Sequence, residues 1–167
     1  MRYYRAEGNL RPSLPLEDVK QFLSRDHDFE NDLIQALSDA AVERAEQETG
    51  IVFGAGAWVV EGEPVGSVVL PIWPVISVTN VMDGETTFTD YRLKHYNRQA
   101  TLDSSAWPSS VVITLQAGMD MPPTVKQACL MMIGFWYDQR QTASAEGLAE
   151  VPYGAMALLG LNRRVSA

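Results

Sequence analysis

At 167 residues the chain is long enough to bury a real hydrophobic core, as one domain or as a domain with an elaborated insertion. Its formal net charge of −8 argues against a sequence-independent grip on nucleic acid, which needs clustered Lys and Arg, and is equally what plain solubility asks for. No apolar run approaches the ~18–20 residues that span a bilayer, and the charged start Met1-Arg-Tyr-Tyr-Arg5 lacks the apolar stretch of a signal peptide.

Residues 1–12 carry charge and turn formers and read as an N-terminal arm. Residues 13–50 read as helices. Pro15 to Leu23 forms a short one, with Ser13 as N-cap and Leu16, Val19 and Leu23 facing inward. After a turn at Arg25-Asp-His-Asp28, Asp28 caps a longer helix whose first turn holds Glu30 and Asp32, near the positive end of its dipole. It runs to about Thr49 with Leu33, Ile34, Leu37, Ala41 and Ala45 inward, and Gly50 stops it.

The period then changes. Val59-Val60, Ser67–Leu70, Val75–Val81, Tyr91–Tyr96 and Val111–Leu115 are short, rich in β-branched or aromatic residues, and separated by turn formers. Asp83-Gly84 is a tight-turn signal. Residues 51–118 therefore read as an antiparallel β-rich insertion between helical halves.

Residues 119–141 hold the most informative segment, a central helix that opens on Pro122 and Pro123. Prolines suit a first turn, whose N–H groups have no intrahelical partner. Val125, Cys129, Met132 and Trp136 lie at the spacing of one buried face, yet Leu130, Met131, Ile133, Phe135 and Tyr137 fill the others. Such a helix must be enclosed on nearly all sides, which points to burial within the subunit and against a neighbour. Met132, Trp136, Tyr137 and Arg140 are the expected subunit interface. Cys129 is the single cysteine; it reads as a small inert hydrophobe and fits synthesis in a reducing compartment. After a small-residue loop at 142–147, residues 152–167 form a C-terminal helix and tail. This helix carries Met156, Leu158, Leu159 and Leu161, followed by Arg163 and Arg164. The two arginines serve either as dipole partners or as a basic hook for an acidic partner.

No constellation for catalysis, metal or cofactor binding emerges. A calcium loop from Asp26 would need Gly at position 31 and Glu at 37, where the chain has Asn31 and Leu37. Gly54-Ala-Gly56 lacks the third glycine of a dinucleotide loop. His27 and His95 have no ligand or nucleophile partners in the sequence, and Asp83, Asp90 and Asp103 lie in turns, where Asp is favoured on conformational grounds.

The order of parts resembles the head–tail connector (adaptor) proteins of long-tailed bacteriophages and of phage-derived gene transfer agents. Five stretches carry the resemblance: Leu16–Leu23 with the acidic run Asp26–Asp32; Leu33–Val42 leading to Glu48-Thr-Gly50; Leu70-Pro-Ile-Trp-Pro-Val-Ile-Ser-Val-Thr-Asn-Val81; Pro122/Pro123-Thr-Val-Lys-Gln-Ala with Trp136–Arg140; and Val151–Leu159 ending in Arg163-Arg164. Together they cover most of residues 14–164; the arm and residues 83–110 contribute nothing to it. The resemblance implies an α+β fold with a helical bundle core of about four helices and an inserted β-rich region. It implies a virion structural protein without enzymatic activity or cofactors. Such a protein forms a ring of twelve copies in the neck, between portal and tail-terminator or stopper proteins, around a channel that DNA crosses without specific binding. Its C-terminal end reaches the portal, which here would fall to Leu158, Leu159, Leu161, Arg163 and Arg164. The competing reading is a small β-rich binding or regulatory module that dimerises through its helices. A hydrolase using the scattered Asp and His has no constellation behind it.

Overall fold

The computed structural model describes residues 1–7, 12–25, 28–139 and 151–164. The elements run β1 (Arg2–Arg5), α1 (Leu16–Leu23), α2 (Asn31–Thr49), β2 (Gly56–Gly62), β3 (Ser67–Val69), β4 (Val75–Asp83), β5 (Thr86–Thr87), β6 (Arg92–Tyr96), β7 (Gln99–Asp103), β8 (Val111–Ala117), α3 (Pro123–Gln139) and α4 (Tyr153–Gly160). The α+β class holds. The strands, however, make up about as much of the chain as the helices do, so the β region is more than an insertion in a helical bundle. The chain divides into two compact units, a β unit of Met1–Leu10, Gly50–Asp120 and Arg164–Ala167, and a helical unit of Arg11–Thr49 and Met121–Arg163.

In the β unit, a five-stranded sheet has the order β1-β2-β8-β4-β5 and a three-stranded sheet the order β3-β7-β6, with every pairing antiparallel. The alternation of β8 is regular: Val111, Ile113, Leu115 and Ala117 are buried and the residues between them are not. Both sheets feed one core, in which Trp58, Val60, Ile113 and Leu115 join Ala100 and Leu102. The segment read as an arm contains β1, antiparallel to β2. Strand β7 escaped the sequence reading because the β6–β7 turn is Asn97-Arg98, both at positive φ. That is the conformation of a two-residue hairpin without its usual glycine. The Asp83-Gly84 signal does form a hairpin: Asp83 pairs with Thr86, and Gly84 sits at φ +59°. Gly118, at φ +120°, backs directly onto the Gly54 carbonyl, leaving no room for a Cβ.

In the helical unit, α3 packs against α1, α2 and α4. The two prolines behave as expected. Pro123 opens α3, and the Pro122 carbonyl accepts the Lys126 N–H at 2.9 Å. Helix α1 differs at its start: Pro15 occupies the cap position without a side-chain bond, so Ser13 is not the cap. The preceding Leu14 N–H donates instead to Ser38 Oγ of α2 at 3.1 Å. Leu33 is exposed rather than inward, while Ser38 and Val42 are buried beside Ile34, Ala41 and Ala45. Lys20 is almost fully buried and reaches out to Asp28 Oδ1 at 2.6 Å. Its stem fills apolar space while its ammonium stays paired.

Candidate assembly surfaces

Three of the groups singled out in the sequence, His95, Asp103 and Asp90, are held in structural pairs. His95 Nε2 lies 2.9 Å from the Val75 carbonyl, with its ring edge-on to Trp73. Asp103 bonds Lys94 Nζ at 2.5 Å and accepts the Ser67 hydroxyl, and these hydrogen bonds, Lys94 first, hold its carboxyl below the usual range. Asp90 accepts from Ser105 at 2.7 Å. His27 and Asp26 lie outside the described residues. Among the described residues, no group of three or more His, Cys, Asp or Glu could hold a metal ion. Burial alone pushes the Cys129 thiol up to about 12, and its Sγ lies 3.7 Å from the Ala41 carbonyl. The thiol is therefore protonated and inert at neutral pH.

What the chain offers instead is surfaces. On α3, Met132 is 0 % exposed, Trp136 6 % and Tyr137 3 %. The Tyr137 hydroxyl donates to Glu30, and the Arg25 guanidinium lies 5.5 Å from its ring centroid. The subunit's own chain thus covers all three, and their burial needs no neighbour to explain it. Arg140 lies outside the described residues. At the C-terminal end the expected portal-facing set separates. Leu159 is buried, Leu158 is half-buried, and Leu161 is 72 % exposed. Asn162 Nδ2 donates to Thr124 Oγ1 at 2.8 Å, tying the end of α4 to the first turn of α3. Arg163 is exposed. Arg164 is half-buried, its Nε has no hydrogen-bond partner among the described residues, and burial lowers its pKa.

One surface has no counterpart in the sequence reading. Strand β1 is the edge of the five-stranded sheet and presents Tyr3, 53 % exposed, and Tyr4, 48 % exposed. On one face, Arg5 lies over the Trp58 ring at 4.7 Å and Tyr3 leans on the same ring. On the other, Tyr4 donates to Glu61 Oε1 at 2.6 Å, which raises the phenol's pKa. Adjacent tyrosines between arginines were the available signal, masked by the turn-like composition of the residues that follow.

No protein-family model matches the chain, and no curated protein matches it. Solved structures do. A chain in the neck of an empty gene transfer agent particle, computed with C6 symmetry, superposes with a TM-score of 0.80 at 21% identity, over 100% of this chain and 97% of that one. The fold is that of a gene transfer agent neck chain. A chain in the native gene transfer agent virion gives a TM-score of 0.79, and one in the native neck computed with C12 symmetry gives 0.78, both at 21% identity with the same coverage. The likeness spans both units and leaves almost nothing of the neighbour unmatched.

Proposed function

We propose that this chain is a structural, non-enzymatic component of a virion neck, and within it the head–tail connector. Twelve copies form a ring beneath the portal and above the tail-terminator or stopper proteins, around the channel through which DNA passes. The single observation that carries this reading is end-to-end likeness to a chain from the neck of a gene transfer agent particle. Two features of the chain support it. Its surfaces offer exposed aromatic and aliphatic groups where an assembly would cover them, at Tyr3, Tyr4 and Leu161. Its acidity favours a channel wall that phosphates slide past without sticking. Of the expected portal-facing residues, Leu161 and Arg163 are exposed and Leu158 is half-buried, whereas Leu159 belongs to the subunit's own core. Imaging of purified particles is the test. Particles from cells lacking this chain should be heads without tails. An internally tagged chain should place its tag in a ring at the neck; a tag on the capsid or the tail tip, or tailed particles in its absence, would overturn the reading.

A further inference from the structure

The two edges of the five-stranded sheet come out level with each other. Following the pairings across it, Arg2 of β1 stands opposite Glu61 of β2, Glu61 opposite Val112 of β8, Val112 opposite Met82 of β4, and Met82 opposite Thr87 of β5. Directly opposed residues project from the same face of a sheet, so Arg2 and Thr87 end one continuous row on one face. Four successive antiparallel pairings also leave β1 and β5 pointing the same way. A second copy set beside the first without being turned over would therefore bring a parallel β1 against β5.

The edges differ in charge. At the β1 edge, exposed Arg2 has no ion-pair partner among the described residues; Glu61, its cross-strand neighbour, already accepts from Tyr4. At the β5 edge, the hairpin turn carries exposed Asp83 and Glu85, also without ion-pair partners among the described residues. The edges differ in protection as well. Strand β4 beyond the short β5 shows register shifts between Val75 and Ser77 and between Val78 and Asn80, irregularities that blunt an edge. Strand β1 runs four residues in unbroken register and has no strand on its far side.

We propose that β1 of one copy docks on the β5 edge of the next, with Arg2 meeting the Asp83–Glu85 turn and Tyr3 and Tyr4 covered by the contact. The inference rests on the neck-ring reading above. A contact between two different patches of the same chain is heterologous, and such contacts close into rings when the rotation permits. The sheet would then continue from subunit to subunit, and the exposed strand that natural proteins otherwise cover or charge would have its partner.

Charge exchange tests the contact in particles made with the variant as the sole copy of this chain. Arg2→Glu or Glu85→Arg alone should remove most of the chain from necks, and the combined exchange should restore it. Both positions are exposed, so circular dichroism of each variant should match the wild type. Oxidised in the particle, the Arg2→Cys/Thr87→Cys chain should give a ladder of cross-linked multimers on non-reducing gels, since neighbouring strands bring Cα atoms within disulfide reach. A chain with only one of the two added cysteines beside the buried Cys129 should give no ladder of higher multimers. Normal incorporation of both single charge variants, or double-cysteine chains present in necks without a ladder, overturns the edge contact and leaves the neck reading standing. A wild-type chain absent from the neck overturns that reading, and the edge contact with it.

Discussion

Trp136 was expected to face a neighbour, and a carboxylate placed there would now meet its own subunit's core. Trp136→Glu should therefore destabilise the isolated subunit by about 3 kcal/mol or more, through a lost aromatic and a buried unpaired charge. Thermal melts followed by circular dichroism would show it; a variant that melts like the wild type yet fails to assemble would return Trp136 to the interface. Cys129 makes a second prediction. At neutral pH its thiol holds a proton whether the chain is folded or not, so it adds no pH dependence there. Above about pH 9, its ordinary value, the unfolded chain releases the proton while the folded chain keeps it up to about 12. The folded thiol's pKa is raised, so stability falls as pH rises through that window, by about 1.4 kcal/mol per unit at most. Urea midpoints at pH 8 and pH 10 should diverge in the wild type and less so in Cys129→Ala, which removes this contribution and leaves the other titrating groups in place. Equal divergence in both would show that the thiol does not contribute.

Among the elements, α4 depends most on its neighbours. Eight residues make a helix that is marginal in water by itself, so its order comes from Ala155 and Leu159, buried in the packing with α3, and from the Asn162–Thr124 bond. Removing that bond with Asn162→Ala should cost about 1 kcal/mol and raise amide exchange in α4 before the rest of the helical unit. Exchange that rises uniformly instead would mean that α4 opens only with the whole unit. Leu161, the C-cap residue that follows α4, is exposed. Leu161→Asp should leave the melting temperature unchanged and, under the proposed portal contact, yield particles that lose DNA at the neck. Intact particles from Leu161→Asp would move the portal contact elsewhere.

For the molecule as a whole, charge is distributed unevenly. The helical unit holds thirteen acidic residues against seven Lys and Arg, a net of −6, and the β unit accounts for the remaining −2. Neither unit is basic, so counterion release offers little and duplex DNA should not bind measurably at physiological salt. A micromolar dissociation constant with a steep salt slope, read by fluorescence anisotropy, would contradict a channel wall that DNA crosses without adhering.

Much of the fold could be read along the chain because local rules were strong enough to act alone. Pro122 and Pro123 mark the start of α3, β8 keeps a strict period of two, and Gly84 supplies the positive φ its hairpin requires. His95, Asp90 and Asp103, singled out in the sequence, find backbone, serine and lysine partners. Other features depended on residues distant in sequence. Whether an apolar helix is covered by its own subunit depends on how α1, α2 and α4 fall around it, and no periodicity within residues 123–139 carries that information. Ser38 and Lys20 look like surface residues until Leu14 and Asp28 arrive to satisfy them. The level edges of the five-stranded sheet arise only when four pairings add their registers, because strand register is a relation between segments and belongs to neither one alone.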